Sequence, residues 1–177
     1  MIIGVMSDTH MRNAGPQLDY LLDDLLGHAE MILHAGDIVS HKVLERLQER
    51  DVLAVCGNMD DYEVMDILPQ TRIVQAAGLR IGLIHGWGSK EGLAERVLTR
   101  FKRDTPDLVV YGHSHVPFWG KVNEVPMFNP GSANQNRNMG TGTVGIIEIV
   151  DGRIEGRFLS VDQLPCRQRQ AWIVFVS

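Results

Sequence analysis

The chain has 177 residues, of which 44% are hydrophobic and 22% are charged, and its formal net charge is −5. This length suits one domain with its own core, and the composition excludes a disordered chain. The acidic balance argues against a broad basic surface that follows a nucleic-acid backbone, so we expect no nucleic-acid partner.

Nothing in the sequence indicates export or membrane insertion. The apolar run at residues 1–6 has no basic flank and is too short for a signal peptide. No stretch approaches the roughly 20 apolar residues of a membrane helix. Cys56 and Cys166 are far apart, and we expect both to be reduced thiols. These features predict a cytoplasmic protein with no membrane partner.

The first third of the chain alternates buried strands with helical patterns. Strands are predicted at 1–6, 31–34 and 52–56. Leucines recur at helical spacing after Pro16, and a second helix is marked by Val43, Leu44 and Leu47. This β-α-β-α-β order predicts parallel strands joined by crossover helices.

The rest of the chain is richer in strands. A helix is predicted at 92–103, and the turn at Asp151-Gly152 predicts an antiparallel hairpin. An α/β fold with two mixed sheets flanked by helices follows, in a single domain over 1–177. The tail, 163–177, ends in an apolar run that is typical of either an edge strand or an oligomer contact. The predicted strands are 72–75, 79–85, 108–111, 118–122, 127–128, 143–150 and 153–160.

Carboxylate, amide and imidazole side chains follow five of the predicted strands. Loops at the carboxyl ends of strands converge in open α/β sheets, so these side chains should meet. A mixed set of nitrogen and oxygen donors suits manganese, iron or zinc better than calcium or magnesium. The residues concerned are Asp8, His10, Asp37, Asn58, His85, His113 and His115.

Spacing adds detail to this candidate metal site. In extended backbone, Asp8 and His10 point to one face, and His113 and His115 lie side by side. The two oxygens of Asp37 are able to bridge two cations. Glycines beside the ligands permit close approach of the backbone.

Each of these residues also has a structural interpretation when taken alone. Asp8 and Asp37 are suitable helix caps, Asn58 is a common turn residue, and a single histidine often belongs to a core. The occurrence of all of them at strand ends favours the metal site. His34, inside a strand, is interpreted as a satisfied core histidine, and Trp87 either lines a pocket or packs.

The motifs taken together resemble the calcineurin-like metallophosphoesterase superfamily, in order over residues 1–160. The small size and the segment Asn129-Pro-Gly-Ser132 resemble its compact bacterial and archaeal phosphodiesterase branch, with the segment as a structural turn that supports the site. The motifs are Asp8-x-His10, Gly36-Asp37, Gly57-Asn58-x-Asp60, His85-Gly86 and Gly112-His113-Ser114-His115.

The resemblance implies a four-layer α/β/β/α sandwich and a binuclear centre. Manganese is the first choice of metal, with iron, zinc or nickel as alternatives, and Asp37 bridges the two ions. One ion would bind Asp8, His10, Asp37 and His115, and the other would bind Asp37, Asn58, His85 and His113.

The implied reaction is hydrolysis of a small phosphoester, as a phosphodiesterase, by in-line attack of a metal-bridging hydroxide on phosphorus. The implied catalytic residues are Asp37, Asn58, Asp60 and His85. Many relatives carry a histidine directly after the asparagine that protonates the leaving group, and here that position is Met59. A thioether donates no proton, which predicts a preference for acidic leaving groups such as aryl esters. Departure of the leaving group would then rely on the metals, on water or on another residue, and His41 is a candidate for a substitute acid.

The alternative is an inactive protein-interaction scaffold of the same fold, since a retromer subunit of similar size resembles the same branch. A scaffold has no need of every ligand histidine, and this chain keeps them all, which favours the enzyme. A third hypothesis is a sensor that binds metal and does not hydrolyse any substrate.

Overall fold

The computed structural model describes residues 1–134 and 141–161, and the backbone of 172–173. Six strands form the larger sheet: β1 (Ile2–Met6), β2 (Met31–His34), β3 (Leu53–Ala54), β9 (Gly142–Val150), β10 (Arg153–Val161) and β11 (Trp172–Ile173). Their spatial order is β11-β10-β9-β1-β2-β3. β1, β2 and β3 are parallel, as the alternating pattern predicts, and β9 and β10 form the predicted antiparallel hairpin.

Five strands form the second sheet: β4 (Thr71–Ala76), β5 (Leu79–Ile84), β6 (Leu108–Tyr111), β7 (Phe118–Val122) and β8 (Val125–Asn129). Their spatial order is β4-β5-β6-β8-β7. β5, β6 and β8 are parallel, whereas β4 and β7 pair antiparallel at the two edges. Both sheets are therefore mixed.

The helices are short. They are α1 (Pro16–Asp19), which continues as a π-helical turn over Tyr20–Leu25, α2 (His41–Gln48), α3 (Tyr62–Ile67) and α4 (Leu93–Thr99). The Ser40 hydroxyl caps α2, whose buried face is the predicted Val43, Leu44 and Leu47. None of the described helices is long and apolar enough to cross a membrane.

Three apolar clusters separate four layers. One lies between the six-stranded sheet and the first two helices, one between the sheets, and one between the five-stranded sheet and α4. β6 shows how a strand serves two clusters: Leu108 and Val110 belong to the cluster between the sheets, and Val109 and Tyr111 to the cluster under α4. The four-layer α/β/β/α sandwich is confirmed.

The structure differs from the sequence prediction at several elements. α3 was not predicted, because only Val64 of its six residues is buried and it shows no apolar stripe. α4 ends at Thr99 rather than 103, since the chain continues in separate turns. In the tail, Trp172–Ile173 pairs with β10 as an edge strand, one of the two alternatives. The rest of the tail, with Cys166, lies outside the described residues.

Candidate metal centre

The candidate centre lies where the carboxyl ends of strands from both sheets meet. The loops after β1, β2 and β3 approach from one sheet, and those after β5 and β6 from the other. Backbone hydrogen bonds tie the loops together: the Asp8 N–H donates to the Gly36 carbonyl (2.9 Å), and the Gly112 N–H donates to the His85 carbonyl (3.0 Å). The predicted convergence of ligand loops is therefore present.

The first cluster of ligand atoms consists of Asp8, His10 and His115. Asp8 Oδ1 lies 3.1 Å from His115 Nε2 and 3.8 Å from His10 Nε2, and the two imidazole nitrogens are 3.2 Å apart. Two donors that each lie about 2.0–2.2 Å from one tetrahedral ion are themselves about 3.3–3.6 Å apart. The three distances lie on either side of this range, so small side-chain shifts would let the three donors share a cation.

The second cluster consists of Asp8, Asp37 and His85, all buried. His85 Nε2 lies 3.3 Å from Asp37 Oδ2 and 4.0 Å from Asp8 Oδ1. Asp37 Oδ2 is also 3.7 Å from His10 Nε2, so this oxygen faces both clusters. Neither aspartate caps a helix: the Asp37 carboxylate accepts from the Met59 N–H, and the Asp8 carboxylate accepts from Ser7 and His113.

Two buried atoms at this point, Asp8 Oδ1 and His85 Nε2, have no hydrogen-bond partner among the described residues. An unpaired buried polar atom costs about 1–3 kcal/mol. A divalent cation would take a lone pair from each of them and remove that cost. The residues present therefore fit a metal ion, and their mixed donor set suits a transition metal.

Two of the predicted histidine ligands are held by backbone carbonyls. His85 Nδ1 lies 2.7 Å from the Ala35 oxygen, and His113 Nε2 lies 2.9 Å from the Gly88 oxygen. A carbonyl only accepts, so each of these nitrogens carries the proton. In the neutral rings the lone pair is then left on His85 Nε2 and on His113 Nδ1, the support that metal-binding histidines usually receive.

The charges of the centre reinforce one another. Burial opposes ionisation of both aspartates, but neighbouring histidines outweigh this effect and lower the pKa of both carboxyls. For Asp8 these histidines are His115 and His85, and for Asp37 the main one is His85. Burial also opposes a positive His85, yet Asp37 and Asp8 raise the pKa of this imidazole. The carboxylates are therefore ionised at neutral pH, and a cation competes with a proton for His85 Nε2.

The backbone of the ligand loops is not extended, so the geometric reason given for the i, i+2 pairs is wrong. φ is 52° at Asp8, 47° at His10, 69° at His113 and 59° at His115. This left-handed region is unfavourable for residues other than glycine, and such strain is common at functional sites. His115 instead faces His10, with ring centroids 5.0 Å apart, and His113 faces His85 at 5.2 Å.

Two glycines in these loops leave room for the carboxylates. A Cβ on Gly57 would collide with Asp37 Oδ1, and a Cβ on Gly112 would collide with the Ser7 hydroxyl and lie 2.8 Å from Asp8 Oδ2. The expectation that glycines beside the ligands permit close approach is confirmed at both positions.

The calcineurin-like phosphoesterase superfamily domain matches residues 1–152 of the chain. The chain belongs to this superfamily. A relative from Methanothermobacter thermautotrophicus, named a probable metallophosphoesterase, is 29% identical over 168 residues, which cover 94% of this chain and 96% of the relative. A protein of Methanocaldococcus jannaschii named a phosphodiesterase is 27% identical and covers 84% of this chain and 93% of its own.

Solved structures agree with this fold. A conserved Streptococcus pneumoniae protein described as a predicted phosphoesterase has a TM-score of 0.73 at 24% identity, covering 90% of this chain and 89% of its own. Vps29 of Chaetomium thermophilum has a TM-score of 0.73 at 20% identity, covering 90% of this chain and 85% of its own. At these identities the matches establish the phosphoesterase fold and no more.

In this member of the superfamily, the three residues of the loop after β3, Asn58, Met59 and Asp60, differ in their exposure. Asn58 is exposed and lines a cleft next to His85, and the Met59 side chain is 58% exposed. Asp60 is buried, and its two oxygens accept from the N–H groups of Gly57 (2.7 Å) and Val39 (2.6 Å). Burial raises the pKa of this carboxyl. Asp60 is thus a positioning residue for two ligand loops, and the structure gives it no direct contact with the centre.

The cleft beside His85 has a volume of about 540 Å³. Trp87 lines this cleft and is 43% exposed. Of the two predicted roles, lining a pocket and packing in the interior, the structure supports the first. Arg100, at the end of α4, lines the same cleft. Sequence reasoning missed Arg100, because only tertiary packing brings the end of α4 next to the end of β5.

Other predicted residues support the candidate centre or lie away from it. His34 is fully buried, accepts from the Gly36 N–H at Nδ1 and bonds the Thr9 hydroxyl through Nε2, as expected for a satisfied core histidine. The Ser132 hydroxyl donates to the Asp8 carbonyl, which confirms a structural turn. His41 faces Glu45 and Glu63 rather than the cleft.

Arg12 is exposed, and its carbonyl accepts from the Ser40 hydroxyl. His28 is also exposed. Arg137 lies outside the described residues.

Proposed function

We propose that this chain is a divalent-metal-dependent phosphodiesterase with a binuclear centre. The observation that carries the proposal is the pair of buried atoms without hydrogen bonds, Asp8 Oδ1 and His85 Nε2, which face each other at 4.0 Å. Membership of a phosphoesterase superfamily supports the reaction class. The relative from Methanocaldococcus jannaschii named a phosphodiesterase supports a diester substrate.

Two sets of residues would hold the ions, with Asp37 in both. Asp37 Oδ2 faces His10 at 3.7 Å and His85 at 3.3 Å, which supports its role as the shared ligand. Manganese is the proposed metal, with iron, zinc and nickel as alternatives of similar ligand preference. The first set is Asp8, His10, Asp37 and His115, and the second is Asp37, Asn58, His85 and His113.

When bound, such an ion pair supplies an activated water for in-line attack on phosphorus and positive charge for the phosphate oxygens. The chain itself fixes the donors. Ala35 and Gly88 hold the rings of His85 and His113 by their carbonyls, and Asp60 holds the loop that presents Asn58. These bonds orient the donors before substrate arrives.

The chain offers little help to a leaving group. Met59 has no proton to donate, Asp60 has both oxygens engaged by backbone N–H groups, and His41 faces two glutamates. This arrangement supports the expectation that the leaving group departs as an anion. Aryl phosphodiesters should accordingly react faster than alkyl ones.

The scaffold alternative rests on the fold shared with Vps29, a vacuolar protein sorting protein. A shared fold does not choose between hydrolysis and a binding role. The arrangement of the donor side chains argues for the enzyme, because a scaffold gains nothing from strained loops that bring carboxylates and imidazoles within 4 Å of one another. The cytoplasmic location and self-association stay predictions.

The test is reconstitution of metal-stripped protein with manganese, zinc, nickel or magnesium, one at a time, on bis(p-nitrophenyl) phosphate. We expect one or more transition metals to restore turnover, and Asp37→Asn to abolish it. Asp151→Asn, in the distant β9–β10 turn, is the matched control and should retain activity. Folded protein that stays inactive with every metal would favour the scaffold.

A further inference from the structure

The cleft beside His85 is lined both by residues of the candidate centre and by residues outside it. Asn58 and His85 belong to the candidate centre, whereas Trp87, Met65 and Arg100 do not. A phosphodiester has two ester groups, and because Asn58 and His85 line this cleft, it adjoins the position where a phosphorus atom at the centre would lie. The lining of the cleft therefore bears on which esters the chain accepts.

The loop that carries Trp87 is held firmly from two sides. The Arg96 guanidinium donates to the carbonyls of Trp87 (2.9 Å), Ser89 and Glu91 (3.3 Å). From the other side, the His113 ring donates to the Gly88 carbonyl. Four of the five carbonyls over 87–91 are thus bonded by two side chains. The indole is 43% exposed on this fixed loop, an arrangement suited to stacking with a flat ligand at little cost in ordering.

Arg100 lies four residues after Arg96, so the two side chains share one face of the helix end. Arg96 bonds the carbonyls of the Trp87 loop. Arg100, in contrast, is exposed and forms no ion pair with any carboxylate of residues 1–134 or 141–161. An unpaired guanidinium in a cleft with an aromatic wall offers bidentate hydrogen bonds to an anion. Thr71 and Gln70 add neutral polar groups to the same cleft.

We propose that this cleft is a specificity subsite for an ester group that combines a planar ring with a second anion, the ring stacking on Trp87 and the anion pairing with Arg100. The substrate class is a phosphodiester of nucleotide type that carries an additional phosphate or carboxylate. The inference rests on the proposed phosphodiesterase function, because the reacting phosphate has to lie at the metal centre.

The test compares two chromogenic substrates, the p-nitrophenyl ester of thymidine 5′-phosphate with and without a 3′-phosphate. Wild-type protein should have the higher kcat/KM on the 3′-phosphorylated ester. In Arg100→Gln the ratio of the two kcat/KM values should fall about fivefold, through KM, as expected for a partly exposed charge pair. Arg103→Gln removes the same charge outside the cleft and should keep the ratio.

The ring contact is tested with Trp87→Leu and Trp87→Phe. Loss of stacking in the leucine variant should raise KM for both thymidine esters about fivefold or more, and phenylalanine should restore most of the loss. Equal effects of leucine and phenylalanine, or an unchanged 3′-phosphate ratio in Arg100→Gln, would overturn the subsite.

Calorimetry separates failure of the subsite from failure of the proposed function. Thymidine 3′,5′-bisphosphate is titrated into manganese-loaded wild-type protein, Arg100→Gln and Arg103→Gln. Binding weakened only in Arg100→Gln, without turnover of either ester, would uphold the subsite and contradict the phosphodiesterase. Turnover without any dependence on Arg100 or Trp87 would uphold the phosphodiesterase and contradict the subsite.

Discussion

His85 donates its Nδ1–H to the carbonyl oxygen of Ala35 over 2.7 Å, in the interior of the protein. Because Ala35 directly follows β2 and His85 directly follows β5, this bond joins the two sheets at the centre. It fixes the ring so that Nε2 faces the carboxylates of Asp8 and Asp37. The same bond thus links the packing of the sheets to the orientation of a proposed metal ligand.

Replacement of this ring should weaken metal binding more than it weakens the fold. In His85→Gln the Ala35 carbonyl loses its donor and the amide no longer faces the carboxylates with a fixed lone pair. We expect the affinity for manganese to fall about 10–100-fold, measured by competition with a fluorescent chelator. The exposed His28→Gln is the matched control. Wild-type affinity in His85→Gln would remove this ring from the ligand set.

Asp60 should prove important for both stability and turnover. Its two oxygens each accept from a backbone N–H, and an amide in its place turns one acceptor into a donor that faces a donor. Asp60→Asn should lower the free energy of unfolding by about 1–3 kcal/mol, measured in urea, and should also lower kcat. The neighbouring Asp61→Asn is the control, since asparagine caps α3 as well as aspartate does. Equal effects of the two variants would refute a positioning role for Asp60.

The missing acid after Asn58 can be restored by Met59→His. The Met59 N–H bonds Asp37 through the backbone, so the exchange leaves this bond in place, and the side chain is exposed. We expect the rate on alkyl relative to aryl phosphodiesters to rise by about 10-fold or more, at the low end of general acid catalysis. Tyr62→His, 87% exposed on α3, adds an imidazole nearby and should not change this ratio. An unchanged ratio in Met59→His would show that proton donation does not limit the reaction.

Buried His34 should make the fold sensitive to mild acid. Burial lowers the pKa of His34 to about 3, from 6.5. Below pH 6.5, His34 is therefore protonated in the unfolded chain, whereas in the folded chain it stays neutral until about pH 3. The free energy of unfolding consequently decreases as the pH falls from 6.5 to about 3. Between pH 7 and 5 this group alone contributes about 2 kcal/mol.

Urea unfolding at several pH values checks the assignment. His34→Asn should be less stable than wild type at pH 7 and should lose less stability on acidification. His28→Asn, at an exposed site, should follow the wild-type curve. A His34→Asn curve parallel to that of wild type would assign the acid sensitivity to other groups.

Sequence patterns predict this fold where periodicity is strong. The parallel order of β1, β2 and β3 and the buried face of α2 follow from apolar spacing, and the ligand residues follow from their place after strands. The patterns do not predict backbone conformations and residue placements that depend on tertiary contacts. Nothing local reveals the left-handed backbone of Asp8 or His113, or the presence of Arg100 and Trp87 in one cleft.

The most direct test of the binuclear phosphodiesterase is the number of ions bound when activity saturates. Metal-stripped protein is titrated with manganese while bound metal, by mass spectrometry, and hydrolysis of bis(p-nitrophenyl) phosphate are measured on the same samples. We predict that turnover rises until two ions are bound per chain and then stays constant. Full turnover at one ion or none, or two bound ions without turnover, would contradict the account.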